Sequence, residues 1–122
     1  MHFLFSNFKP NYALSEGIAT WLAGPTSYES FADAVDSLKK KNYEDKEVLE
    51  KMINRKPPYF QPIYSYAIGG IIMEYAYREG GSGFVKELLN DNADDIFVIL
   101  KNHFHLISIS PEDFLIGLIK AK

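Results

Sequence analysis

The strongest constraint on the fold is a long segment, residues 62–78, that is apolar on nearly every side of a helical projection. A surface helix needs only one apolar stripe, whereas a helix that is apolar all round must be enclosed by other elements. The segment does not predict a membrane span, because its most apolar run covers residues 63–73 and a span needs about 20 apolar residues. We therefore predict a central, buried helix over about 62–78.

Two adjacent glycines, Gly69 and Gly70, lie in the middle of this predicted helix. Each costs about 1 kcal/mol of helix stability relative to alanine, so their presence indicates close packing against another backbone. A first helix, expected from Asn11 to about residue 23, offers a suitable partner. One of its faces consists mostly of small residues, which would allow close approach around Glu16: Ala13, Glu16, Thr20 and Ala23.

Apolar residues recur with helical spacing along most of the remaining chain, and strand patterns are limited to two short runs, 97–100 and 106–109. Residues that favour the N-cap position predict where the helices begin. The expected starts are Asn11, the capping box of Thr26 and Glu29, Asn42, Ser82, Asn92 and Ser110. Pro57 and Pro58 are expected to end the third helix, and a glycine-rich turn is expected at residues 80–83. We predict an all-α fold, a compact bundle of about six or seven helices forming a single domain over residues 1–122.

Composition excludes several functional classes. The 122 residues include no cysteine, so a disulfide scaffold is excluded. The chain has 13 lysine and arginine residues against 16 aspartate and glutamate residues, a formal net charge of -3. Because nucleic-acid binding depends on a basic face that contacts phosphates, this charge argues against a nucleic-acid partner.

Few residues outside the first helix suggest chemistry. His103 and His105 form an H-x-H pair at the expected end of a helix. Side chains two positions apart on a helix point away from each other, so we do not expect the pair to share a metal ion. The paired carboxylates at residues 94–95 and 112–113 fall in expected first turns, where they would interact with the helix dipole.

A more specific pattern lies in the first helix. Residues 14–19, Leu-Ser-Glu-Gly-Ile-Ala, resemble the W-L-S-E-G-I/L-A helix of gluzincin metallopeptidases. The spacing of Tyr66, Gly69 and Tyr75 is similar to that in a helix of their C-terminal subdomain. In that family the Glu of the Glu-Gly pair is the third zinc ligand, so the resemblance implies that Glu16 binds zinc. The first two ligands are the histidines of H-E-x-x-H, and His2 would occupy the place of the second.

On this interpretation the chain begins inside the H-E-x-x-H helix, and the first histidine and the catalytic glutamate would lie upstream of Met1. No complete H-E-x-x-H occurs in the sequence. A catalytic zinc ion takes three protein ligands and a water molecule, and a general base must accept the proton of that water. The chain offers at most His2 and Glu16, so we expect it to bind zinc weakly and to be inactive alone. A full-length parent would hydrolyse peptide bonds in peptide or protein substrates.

Tyr66 is a candidate donor to the oxyanion of the tetrahedral intermediate, a role that a Tyr or His has in some zinc peptidases. The alternative for Tyr66 is core or interface packing, and the alternative for Glu16 is an ordinary surface carboxylate on a helix.

The domain has an alternative function as well. It would be a non-catalytic helical interaction module, and its aromatic segment 59–66 would form a groove for a peptide or helix.

The N-terminal segment is apolar and would lose its cover without the missing half of a peptidase. Its apolar side chains belong to Phe3, Leu4, Phe5 and Phe8. A large exposed apolar patch is uncommon on monomeric proteins, so we expect self-association through this segment.

Overall fold

A computed structural model describes residues 11–23 and 31–122, and within these ranges the chain forms helices and no β-strand. The helices are α1 (Tyr12–Ala23), α2 (Phe31–Lys39), α3 (Lys46–Ile53), α4 (Ile63–Asn90), α5 (Ile96–His103) and α6 (Pro111–Lys120). The all-α prediction is therefore confirmed. The two apolar runs considered as strands lie in α5 and in the irregular segment before α6.

The central position of α4 is also confirmed. Helices α1, α2, α3 and α6 contact it directly, and α5 packs against α6. The side chains of α4 that fill the core include Ile68, Ile72 and Met73, all at most 2% exposed. None of the helices in the described part of the chain has the length and apolar character needed to cross a membrane.

Helix α4 extends past the predicted end near residue 78. It continues to Asn90, although Gly81 leaves the helical conformation with φ 67° and ψ -161°. The chain therefore bends at Gly81, within the glycine-rich turn predicted at residues 80–83, and two helical segments of α4 meet there. A second helical segment follows the break, as predicted, but Ser82 is already in helical conformation and the non-helical position before that segment is Gly81.

The glycines of α4 allow backbone contact with α1, as the sequence predicts. A Cβ atom on Gly17 would lie 2.6 Å from the Cα of Gly69, and a Cβ on Gly69 would lie 2.6 Å from the carbonyl carbon of Ala13. Real Cβ atoms do not approach other backbones this closely. Only glycine at these positions permits the observed distance between the helices.

Asn11 caps α1, as predicted, and also anchors it to another part of the fold. Its side-chain oxygen accepts hydrogen bonds from the backbone N–H groups of Ala13 at 3.0 Å and Leu14 at 3.3 Å. Its side-chain nitrogen donates to the carbonyl oxygens of Ala93 at 3.2 Å and Asp94 at 2.8 Å. The start of α1 is thereby fixed to the segment before α5.

The other predicted caps divide into confirmed and wrong ones. The Oγ of Ser110 accepts from the N–H of Asp113 at 3.1 Å, which confirms the cap of α6. Helix α3 is capped by Asp45 instead of Asn42, because the chain is still turning at 42–45.

The remaining helix boundaries differ in similar ways. Helix α5 is capped by Asp95 instead of Asn92 and begins at Ile96. Helix α3 ends at Ile53, four residues before Pro57. Between them, Arg55 has a positive φ of 55°, which is outside the helical region. The predicted capping box at residues 26–29 lies outside the described residues.

Candidate functional site

The structure brings together two of the three site residues that the sequence predicts. Glu16 lies on α1 beside Gly17, and Tyr66 lies on α4 one turn before Gly69. Because the two helices touch at these glycines, the half-buried side chains of Glu16 and Tyr66 are close enough to interact electrostatically. His2, the third candidate, lies outside the described residues.

Tyr66 is paired with a second tyrosine, Tyr12. Their hydroxyl oxygens are 3.0 Å apart and their ring centroids are 6.0 Å apart. The hydrogen bond with Tyr12 raises the pKa of Tyr66 to about 12, with smaller contributions from burial and from the charges of Tyr12 and Glu16. Arg55 acts in the opposite direction. The hydroxyl of Tyr66 is therefore protonated at neutral pH, and its single proton is free for another acceptor when Tyr12 is the donor in their shared hydrogen bond.

Arg55 completes this cluster, which we call the tyrosine site and define by Tyr12, Glu16, Arg55 and Tyr66. The guanidinium carbon of Arg55 lies 4.0 Å from the centroid of the Tyr12 ring, a cation–π contact. Sequence reasoning missed Tyr12 and Arg55. The spacing of Tyr12 and Glu16, four residues apart on one helix, is a signal that would place them together. No comparable local signal identifies Arg55.

The described residues alone do not form a zinc site of the gluzincin type. In residues 11–23 and 31–122, no three side chains of His, Cys, Asp or Glu gather where they would hold a metal ion. Glu16 and Arg55 both act on the hydroxyl of Tyr66, and they have opposite effects on its pKa. The ligand that the resemblance implies, His2, belongs to the part of the chain that is not described.

A second cluster, which the sequence did not predict, surrounds His103 at the end of α5. Its Nε2 lies 2.8 Å from the Oδ2 of Asp91, and its Nδ1 lies 3.3 Å from the Oε2 of Glu87. The side chains of His103 and Asp91 are only 20% and 16% exposed. The N–H of Ala93 holds the pKa of Asp91 below its ordinary value, and hydrogen bonds from His103 and Asn102 act in the same direction against the effect of burial.

His103 and His105 line the same cleft, which has a volume of about 420 Å³. The expectation that they point apart assumed that both lie on a helix. Helix α5 ends at His103, and Phe104 is extended with φ -106° and ψ 127°. In extended backbone, residues two positions apart lie on the same side. Aromatic rings form the wall of the cleft: Tyr75, Phe84, Phe104 and Phe114.

Comparison with known proteins finds no matching family model, no matching curated protein and no matching solved structure. The functional interpretation therefore depends on the geometry of these two clusters and on the sequence pattern around Glu16.

Proposed function

We propose that this helical domain is part of a gluzincin-like zinc peptidase, in which Glu16 is a metal ligand and Tyr66 donates a hydrogen bond to the substrate. The observation that supports the proposal is the position of Glu16 beside Tyr66 across the α1–α4 contact. The two residues occur in different sequence patterns separated by a long stretch of chain. A shared site accounts for both patterns.

The role of Tyr66 follows from its protonation. With a pKa of about 12, its hydroxyl remains neutral at physiological pH. A neutral hydroxyl can donate to the oxygen of a scissile carbonyl group as negative charge develops there, and such donors stabilise the transition state by several kcal/mol at most. In this role the hydroxyl of Tyr12 would donate to the oxygen of Tyr66 through their 3.0 Å hydrogen bond, which leaves the proton of Tyr66 for the substrate.

The proposal also includes His2 as a metal ligand and requires a first histidine and a general base from outside the 122 residues. The domain alone would then bind zinc weakly and would not hydrolyse peptides. Peptides or proteins would be the substrates of the complete enzyme.

Zinc titration followed by amide NMR spectra tests this proposal directly. We expect zinc-dependent shifts at residues 12–18 in the unmodified chain. These shifts should be lost in Glu16→Gln and in His2→Ala, and they should persist in Glu112→Gln, which changes a carboxylate in the first turn of α6. Absence of the shifts, or their persistence in Glu16→Gln, would show that Glu16 is not a metal ligand.

The source genome provides a second test. The codons directly upstream of Met1 should encode, in frame, His-Glu and one further residue, which would complete H-E-x-x-H at His2. A stop codon or unrelated sequence at this position would reject the peptidase assignment.

The alternative, a non-catalytic interaction module, is favoured by the exposure of Phe60. This residue is 65% exposed in the connector between α3 and α4, whereas its neighbour Tyr59 packs edge-on against Tyr64 with ring centroids 5.8 Å apart. Exposed aromatic rings are common anchors for peptides.

Peptides selected from a displayed library would test the module. We expect their binding to weaken at least about tenfold in Phe60→Ala and to be unchanged in Ile107→Ala, a variant at another exposed apolar residue. An interaction module does not need to bind zinc. Zinc-dependent NMR shifts at residues 12–18 are therefore expected only for the peptidase function.

A further inference from the structure

The cluster around His103 has features of a metal site that are independent of the proposed peptidase function. Histidine ligands usually donate their second ring N–H to a carboxylate, which fixes the orientation of the ring. Asp91 is placed to be this carboxylate, because its Oδ2 lies 2.8 Å from Nε2 of His103. Both side chains are largely buried, so the ring is held in one orientation.

The second ring nitrogen of His103 faces a carboxylate at a distance suited to shared coordination. Its Nδ1 lies 3.3 Å from the Oε2 of Glu87. Two ligand atoms bound tetrahedrally to zinc at 2.0–2.1 Å are also separated by about 3.3 Å. A metal ion could thus bind both atoms with little change in their separation.

A third donor lies on the same side of the chain. His105 lines the cleft together with His103, Glu87 and Glu79, because the backbone becomes extended at Phe104. The side chains of Glu87 and His105 are exposed, so they can change rotamer without repacking the core. The shared cleft makes His105 the candidate for the third ligand.

We propose that His103, Glu87 and His105 bind a divalent transition-metal ion at the mouth of this cleft, and that Asp91 orients His103. In the described residues the three ligands do not converge as a formed site, so binding includes a side-chain rotation of His105. Two imidazole nitrogens and one carboxylate favour zinc, nickel or copper over magnesium or calcium.

The test uses zinc chloride, with magnesium chloride as a control for simple attraction to carboxylates, and follows amide NMR shifts of the full chain at neutral pH. Zinc should shift residues 87–91 and 103–105, and magnesium should not. His105→Ala and Glu87→Gln should each weaken zinc binding by about tenfold or more, and Asp91→Asn by about tenfold. The two ligand variants change exposed side chains, so they should retain the fold.

His2→Ala separates this site from the proposed peptidase site. It should abolish the zinc-dependent shifts at residues 12–18 and leave those at 103–105 unchanged, so either proposal can fail alone. The metal site is wrong if zinc produces no shift at the cleft, if magnesium produces the same shifts, or if either His105→Ala or Glu87→Gln leaves the affinity unchanged.

Discussion

Asn11 and Asp91 show how single polar residues connect distant parts of this chain. Asn11 is only 6% exposed, and its amide caps α1 while it binds two carbonyl groups in the segment before α5. Asp91 follows α4, accepts a hydrogen bond from the N–H of Ala93 at 3.0 Å and binds His103. Both residues stabilise the same corner of the fold, where α1, α4 and α5 meet in space.

The lowered pKa of Asp91 predicts a pH-dependent effect of its substitution. A carboxyl group whose pKa is lower in the folded state stabilises the fold above its ordinary pKa of 3.8, and this stabilisation is lost as the pH falls further. Asp91→Asn should therefore lower the midpoint of thermal unfolding at neutral pH. The difference from the unmodified chain should shrink below pH 3.8.

Thermal unfolding between about pH 7 and pH 2 measures this difference. Asp94→Asn is the matched control, because the carboxylate of Asp94 makes no hydrogen bond or ion pair in the described part of the chain. An equal pH dependence for both variants would contradict the assigned role of Asp91.

At the level of helices, α4 organises the fold through two different uses of glycine. Gly69 and Gly70 permit contact with the backbone of α1. Gly81 supplies a conformation outside the helical region, and the direction of the helix changes there. The first use determines the tyrosine site, since it brings α1 and α4 together. The bend at Gly81 comes before the part of α4 that contributes Glu87 to the cleft beside His103.

The contact between α1 and α4 predicts opposite effects of two similar substitutions. Gly69→Ala should destabilise the protein by about 1–3 kcal/mol, because the added methyl group meets the backbone of Ala13, which cannot move aside as a side chain can. Gly117→Ala in α6 meets nothing within 4 Å and should stabilise it by up to about 1 kcal/mol. Urea unfolding measures both changes. Equal changes in the free energy of unfolding for the two variants would contradict the contact of Gly69 with the backbone of α1.

The break in α4 leads to a similar paired prediction. Gly81 has φ 67° and ψ -161°, a conformation that is almost restricted to glycine, so Gly81→Ala should cost about 1–3 kcal/mol. Gly83 lies two residues further on in helical conformation and, like Gly81, has open space around it. Gly83→Ala should therefore be neutral or stabilising. A stabilising effect of Gly81→Ala in urea unfolding would show that α4 has no break.

At the scale of the whole molecule, one hydrophobic core joins all the helices of the described chain. Its buried members come from every helix, and α4 supplies the largest share. The tyrosine site lies near the start of α4, and the cleft beside His103 lies near its end. The two candidate sites share no residue, although Asn11, which precedes Tyr12, binds the carbonyl group of Ala93, two residues after Asp91.

The apolar N-terminal segment, which lies outside the described residues, predicts self-association of the 122-residue chain. We expect sedimentation velocity to show species larger than the 13.9 kDa monomer as concentration rises. Phe5→Ser should weaken association about tenfold or more, because a buried phenylalanine contributes about 1.5–3 kcal/mol. Ile107→Ser, at a residue that is 83% exposed, is the control. A monomer at all concentrations would contradict this prediction.

The sequence by itself determined the fold class, the central position of α4, the close approach at Gly69 and the caps at Asn11 and Ser110. These features depend on local chemistry, namely helical periodicity, the missing side chain of glycine and the hydrogen bonds between a cap and the next turn. Such properties do not require knowledge of distant contacts.

Only the tertiary structure decided the rest. Asp45 and Asp95 cap their helices instead of Asn42 and Asn92, because neighbouring polar residues have similar capping energies and packing selects between them. The approach of Arg55 to Tyr12 and the contacts of His103 with Glu87 and Asp91 join residues that no local pattern relates. These contacts arise where helices meet, and their energies depend on distances that the order of residues along the chain does not specify.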